Sequence, residues 1–164
     1  MRLGFLNRHS ATRGASVYLR EGLWLIHSQA ETEAGFSIST PPYLAIPEHA
    51  ANAALGRAVR QALDASESGV PTPDPDDEGS SRQLLELVGV RGWRKFARTA
   101  SLIGVNEERG RIVLEPWRLK GPPGNPSFEP LPDHDLELDD VTPEALGRSL
   151  RRLSKLRELE SAAG

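Results

Sequence analysis

The chain has 164 residues, no cysteine and a formal net charge of −3, a length that suits one domain at about 150 residues per domain. The lack of cysteine excludes disulfides, thiolate metal sites, cysteine nucleophiles and iron–sulfur clusters. The longest apolar stretch, Leu23 to Ile26, is far shorter than the ~20 residues of a membrane helix, and the first 16 residues lack the apolar run of a signal peptide. We therefore expect a soluble, cytoplasmic protein with one domain over residues 1–164.

The N-terminal third predicts strands. Val17 to Leu19 and Leu23 to Ile26 are short β-favourable runs, and Glu21-Gly22 between them fits a tight turn or a bulge. Residues 34–46 alternate apolar residues with serines, as a half-buried strand does, and Pro41-Pro42 is expected to end that strand.

The middle of the chain predicts helices on either side of a loop. Apolar residues recur at helical spacing from His49 to Ala65. Residues 66–81 are predicted to be a loop, because prolines, glycines and acids crowd into them, most densely in the acidic stretch 70–81. Two short helices should follow, from Arg82 to Val88 and from Trp93 to Ala97.

The clearest predicted hairpin runs from Ser101 to Pro116, with Asn106 to Gly110 as its loop. A Gly/Pro loop over residues 120–126 separates this hairpin from an extended segment, Phe128 to Leu138. The last helix has the strongest pattern. Thr142 is a good N-cap and Pro143 suits the first helical position, and a leucine stripe then follows at helical spacing: Leu146, Leu150, Leu153, Leu156 and Leu159.

Together these elements predict one α+β domain with a mixed, mostly antiparallel sheet. Two long helices, near 50–65 and 142–160, and one or two short ones should cover that sheet. Both long helices contain the tetrapeptide Ala-Leu-Gly-Arg, at Ala54 to Arg57 and at Ala145 to Arg148. The match is too short to indicate a repeat, but each glycine would allow a close backbone approach, so we expect both helices to pack tightly on a neighbour.

The sequence offers no catalytic or cofactor motif. The four histidines, His9, His27, His49 and His134, form no metal-ligand pattern with one another. His27 ends an apolar strand, so a structural role is favoured for it. No phosphate-binding glycine loop is present, since Gly121 to Gly124 contains two prolines, which lack the backbone N–H that a phosphate needs. We therefore predict a binding protein rather than an enzyme, with no cofactor, no metal and no catalytic residue.

Acidic residues are concentrated in two segments, of which the second has no lysine or arginine between residues 121 and 147. A strand over residues 133–138 would place a stripe of carboxylates on one of its faces. Such a stripe fits a solvated strand face, a surface for a cationic partner or, less well, a metal site. The candidate partner-binding acids are Asp133, Asp135, Glu137, Asp139 and Asp140, with Asp74, Asp76, Asp77 and Glu78 from the first segment.

Basic residues around Trp93 and Phe96 suggest nucleic-acid binding only at first sight. The two aromatic residues are three positions apart, the spacing of a core-facing pair on a helix, and the isoelectric point near 5.8 argues against a dedicated nucleic-acid binder. We interpret the pair as core and the surrounding charges as solvated.

Three segments resemble the immunity proteins of bacterial contact-dependent growth inhibition (CDI) systems. They are Leu55 to Pro73, Gly89 to Pro116 and Phe128 to Leu156, including the Gly89-Val90 step before Trp93 and Phe96 and the run Pro143 to Gly147. The loop after Pro73 and the stretch Trp117 to Leu119 depart from the family pattern, in positions where partner specificity could reside.

The resemblance implies a protein that binds and blocks the C-terminal toxin domain of a CDI effector, many of which are nucleases. A nuclease presents a positive cleft to its substrate, so we expect the acidic residues named above to face the toxin. Tight binding also needs an aromatic anchor. Trp24, Tyr43 and Trp117 are candidates, and Trp117 is preferred, although a core position at the end of the hairpin suits it equally well. The alternatives are a small metal-dependent hydrolase or nuclease and a homodimer formed through the leucine stripe.

Overall fold

A computed structural model describes residues 12–74 and 79–163 of the chain. Within these ranges the strands are β1 (Arg13–Arg20), β2 (Leu23–Thr32), β3 (Ser37–Pro47), β4 (Glu67–Val70), β5 (Ala100–Glu108), β6 (Arg111–Lys120), β7 (Ser127–Pro130) and β8 (Leu136–Asp139). The helices are α1 (Asn52–Asp64), α2 (Gly79–Val88), α3 (Trp93–Thr99) and α4 (Pro143–Ala163), with a 3-10 turn at Pro132–His134. The predicted α+β class is confirmed.

One eight-stranded sheet organises the fold. Its order is β3-β2-β1-β5-β6, and β7 and β8 pair one after the other along the outer edge of β6. All pairings are antiparallel except that of β4, which runs parallel to β2 at Ala30–Thr32. The two hairpins at the centre, β1-β2 and β5-β6, turn at Glu21-Gly22 and Arg109-Gly110, where all four residues have positive φ, as the common two-residue hairpin turn requires.

Several predicted boundaries were wrong. The β5-β6 loop is two residues long rather than five, because the strands pair as far as Glu108 and Arg111. Strand β3 continues through Pro41-Pro42 to Pro47, which is tolerated because β3 is an edge strand and needs no further donor there. The segment 66–81 contains β4 and the start of α2. The segment from Phe128 to Leu138 is not continuous but divides into β7, the 3-10 turn and β8.

Side-chain alternation gives the sheet two different faces. The first, the covered face, packs against α1 and α4 and forms the larger core. The leucine stripe of α4 contributes Leu146, Leu150 and Leu153 to that core with 5% exposure or less. Those leucines are buried within the chain, so they are not available as a surface for a homodimer.

The helices of the covered face touch through their backbones. A Cβ atom at Gly56 of α1 would overlap the carbonyl group of Pro143 in α4, and one at Gly147 of α4 would overlap the carbonyl group of Asn52 in α1. The repeated tetrapeptide therefore marks a reciprocal contact, in which each helix supplies the glycine that admits the other. This confirms the prediction that both helices pack tightly on a neighbour.

The second face is partly open. Helices α2 and α3 pack on one part of it around Tyr18, Leu25 and Phe96. The predicted core pair is confirmed, since the rings of Trp93 and Phe96 lie 5.4 Å apart and Phe96 is fully buried. The rest of this face, which we call the open face, carries no helix from the described residues. None of the helices in the described ranges is long and apolar enough to cross a membrane.

Candidate functional site

The open face contains a cavity of about 580 Å³. Its floor is formed by small residues on the central strands, Ser16 and Gly104, which are neighbours in the β1-β5 register. The lining includes the aromatic residues Tyr18, Trp93 and Trp117 together with polar residues. The polar lining consists of His27, Gln29, Ser37, Ser39, Asn106 and Glu115.

Gly104 keeps this cavity open. A Cβ atom at Gly104 would lie 3.1 Å from Trp117 Nε1 and 3.7 Å from Glu115 Oε2. The indole N–H and the carboxylate therefore flank the same small space above the glycine. Any larger residue at this position would fill the space between a hydrogen-bond donor and an anion.

Glu115 is the carboxylate of the cavity. Partial burial, and then the nearby charge of Asp135, raise the pKa of Glu115, while a hydrogen bond with the Asn106 side chain opposes this shift. Neither neighbour is a cation, and none of the described residues that line the cavity is lysine or arginine. Glu115 thus presents a half-buried negative charge without a positive partner among the described residues.

Glu137 and Asp139 of β8 lie on the same side of the sheet as this cavity. Leu136 and Leu138 point into the covered core, so by alternation Glu137 and Asp139 belong to the open face, and Asp135 precedes them. We call Asp135, Glu137 and Asp139 the acidic stripe. The pKa of Asp135 is raised by partial desolvation and by the charge of Glu137, which indicates that these carboxylates repel one another.

Arg111 balances part of the acidic stripe. Its guanidinium lies 3.1 Å from Asp139 and 3.7 Å from Glu137. The side chains of Glu137 and Asp139 nevertheless remain 64% and 73% exposed. Exposed ion pairs of this kind are readily exchanged for others, so the stripe remains accessible to a cationic partner.

The other predicted acids are not part of this stripe. The prediction that Asp133 shares a strand face was wrong, because β8 begins only at Leu136 and Asp133 lies in the 3-10 turn. Asp140 follows β8 with positive φ, and its N–H donates to Gly110 O at the β5-β6 turn. Asp74 is exposed beyond β4. Asp76, Asp77 and Glu78 lie outside the described residues.

The aromatic candidates divide clearly. Trp24 is buried in the covered core, so it is excluded as a surface anchor. Tyr43 is half-buried beside His27, with ring centroids 5.6 Å apart. Trp117 is half-buried and packs against the smaller core, yet it also lines the cavity, so it combines a core contact with an accessible edge.

His27 has the predicted structural role. It is 4% exposed, and its Nδ1–H donates to the Ser28 carbonyl oxygen at 2.8 Å. Burial lowers the pKa of His27, and the hydrogen bond to Ser28 opposes this. Among the described residues no group of three His, Asp or Glu side chains is placed to hold a metal ion.

The sequence reasoning missed Glu115, Gly104, Gln29 and Asn106. The sequence did contain one indication of the site. Glu115 and Trp117 are two positions apart on a predicted strand, so they must share a face. The other residues join the site only through strand register. Gln29 and Asn106, for example, both pair with Gly14, one from each neighbouring strand. No local sequence pattern shows that pairing.

Comparisons with known proteins place the chain in a family. The sequence model of the CDI immunity protein family, CdiI, matches residues 13–155. The fold resembles a protein of unknown function, NMB0488 from Neisseria meningitidis, with a TM-score of 0.68, 20% identity and coverage of 85% of this chain and 92% of that one.

A second solved structure is a CdiA-CT/CdiI toxin and immunity complex from Yersinia pseudotuberculosis. It matches with a TM-score of 0.67 and 15% identity, over 85% of this chain and 94% of that one. No curated protein sequence is significantly similar to this chain. The family match spans most of the chain, including the sheet and both helices of the covered face, and the chain therefore belongs to the CDI immunity protein family.

Proposed function

We propose that this protein binds and neutralises the C-terminal toxin domain of its cognate CDI effector, and that this domain is a cationic nuclease. The observation that carries the proposal is the family match over residues 13–155. The complex from Yersinia pseudotuberculosis supports it, because that relative in fold is a toxin and immunity pair. The protein acts by occupying a surface of the toxin, without a reaction of its own.

The open face is the proposed toxin-binding surface. It joins the acidic stripe (Asp135, Glu137 and Asp139) to Trp117 across the outer strands of one sheet. A nuclease cleft must be positive to hold a polyanion, so these carboxylates complement it. Complementary charges accelerate association and select the partner, while a partly desolvated tryptophan is a common source of binding energy.

Charge reversal tests this surface. The substitutions Asp135→Lys, Glu137→Lys and Asp139→Lys are combined, and binding to the C-terminal toxin domain of the cognate CDI effector is measured by calorimetry. An immunity protein is expected to bind at about nM, near −12 kcal/mol. Reversal should weaken binding at least tenfold and reduce its salt dependence.

The matched control reverses three exposed acids away from the open face, Glu48, Glu67 and Glu144. Glu67 pairs with Ala30, which faces the covered side, and Glu144 lies on α4. This control changes net charge equally but should leave the affinity near that of the wild type. Unchanged affinity and salt dependence in the acidic-stripe variant would remove this surface from the interface.

A variant that makes the same surface more negative should strengthen its attraction for a cationic toxin. Arg111→Ala removes the cation that pairs with Glu137 and Asp139, so toxin association should become faster at low salt. Arg148→Ala is the control, because it removes an exposed arginine paired with Glu144 on α4, on the covered side of the sheet. Equal association rates for the two variants would contradict the proposed surface.

A further inference from the structure

Two carboxylates on the β5-β6 hairpin have different surroundings. Glu107 of β5 faces the covered side, is 9% exposed, and receives a hydrogen bond from Arg60 of α1 at 2.7 Å. Glu115 of β6 faces the open cavity and has no cation from the described residues beside it. A half-buried carboxylate is commonly paired with a cation. Among the described residues Glu115 has the Asn106 side chain as a hydrogen-bond partner but no cation, so it can accept one from a bound protein.

The surroundings of Glu115 suit one kind of cation. Trp117 and Glu115 both come from β6, and the indole Nε1 and the carboxylate both lie close to the position of a Cβ at Gly104. A planar guanidinium can lie against an aromatic ring while it binds a carboxylate. A further acceptor lines the same cavity. Gln29 uses its Nε2–H to donate to Ser16 Oγ at 2.6 Å, which leaves its amide oxygen as an acceptor.

We propose that the open-face cavity receives one arginine side chain of the bound toxin, with Glu115 as the counter-ion and Trp117 as the stacking wall. This inference rests on the proposed function and specifies how the partner is held. Arginine fits better than lysine, because its five N–H donors match several acceptors around a flat wall, whereas an ammonium is a compact, strongly hydrated charge. The acidic stripe lies outside the cavity and would guide the partner towards it.

The first experiment uses the full chain alone. The ¹⁵N-labelled protein is titrated with N-acetyl-arginine methylamide, and the indole N–H resonance of Trp117 is followed after its assignment with Trp117→Phe. A saturable shift with a dissociation constant of about 1 mM or somewhat weaker is expected for so small a probe. The citrulline analogue, which has the same shape without the charge, should bind at least tenfold more weakly. Equal responses to the two probes would overturn the proposal.

Variants of the cavity make the test specific. Glu115→Gln should weaken the arginine probe about tenfold, and Gly104→Ala should weaken it by filling the space between Trp117 and Glu115. Glu67→Gln and Gly124→Ala are the matched controls, since Glu67 is exposed on β4 and a Cβ at Gly124 would meet nothing within 4 Å. An unchanged response in Glu115→Gln, with thermal unfolding like that of the wild type, would contradict the proposal.

The second experiment separates this inference from the proposed function. The same variants are measured against the toxin domain of the cognate CDI effector. If the wild-type chain does not bind that domain, the proposed function fails. If the wild type binds and both Glu115→Gln and Gly104→Ala bind equally well, the toxin interaction stands and the arginine cavity is wrong.

Discussion

The two faces of the sheet differ in how their side chains are buried and paired. On the covered face, apolar side chains meet two helices, glycines allow backbone contact, and the carboxylate of Glu107 has its arginine. On the open face, Trp117 is left half-buried and Glu115 has no cation beside it among the described residues. The covered face buries its apolar side chains and pairs the Glu107 carboxylate within the chain, whereas the open face leaves a carboxylate and an aromatic edge accessible to a partner.

This difference separates stability from recognition within one sheet. Because side chains alternate along each strand, a single strand such as β6 supplies Ile112 and Leu114 to the core and Glu115 and Trp117 to the cavity. Substitutions on the covered face should therefore change the free energy of unfolding. Substitutions on the open face should change binding with little effect on folding.

The largest effect is expected at the glycines between the long helices. Gly147→Ala places a methyl group against the Asn52 carbonyl, and overpacking of this kind costs about 3 kcal/mol or more when backbone must move. Urea unfolding measures this change in free energy. Gly124→Ala, in open space, is the control and should be near neutral. A Gly147→Ala protein as stable as the control would show that the helices separate without cost.

A smaller effect should distinguish the two carboxylates of the hairpin. Glu107→Gln weakens a charged hydrogen bond and leaves Arg60 with only the more distant carboxylate of Asp64, 3.8 Å away. A loss of about 1 kcal/mol is expected after allowance for the partial exposure of Arg60. Glu115→Gln removes a desolvated charge that Asp135 repels, so it should not reduce stability at pH 7. Equal losses in urea unfolding would contradict the division of roles between the faces.

The smallest effect concerns His27. Burial lowers the pKa of His27 below its unfolded value of 6.5, so the unfolded chain binds more protons than the folded chain at mildly acidic pH. Stability should therefore be retained above pH 6.5 and fall as the pH drops below it, towards the lower pKa of the folded state. In His27→Gln this component should disappear from the pH dependence of the unfolding free energy, while His49→Gln should retain it.

Local patterns predicted the parts of the fold that local physics determines. The turn residues Glu21-Gly22, the N-cap Thr142 and the stripe on α4 gave the first hairpin and the last helix. Strand β4 was missed because its four residues, Glu67–Val70, are stabilised by pairing with Ala30–Thr32, far away in the sequence. Its pairing is tertiary, and the acids and glycine of the segment indicate a loop when read alone.

The candidate site was predictable only in part. Glu137, Asp139 and Trp117 were identified as candidates from charge and position, and strand pairing brings them to the same face. Asp133 was misplaced because a proline-initiated turn, Pro132–His134, interrupts the expected strand. Glu115 was not singled out, because its importance depends on Gly104, which lies on the central strand β5, and on Asp135, which precedes β8.

The reciprocal glycine contact has a consequence for how the chain is made. Gly56 comes from the first helix, and its partner Pro143 follows all eight strands in the order of synthesis. Because domains generally fold as units during synthesis, the part of the apolar face that α4 covers remains exposed until Pro143 to Leu153 have left the ribosome. A nascent chain that stalls before this point would expose that face to chaperones and proteases, so only completed molecules should accumulate.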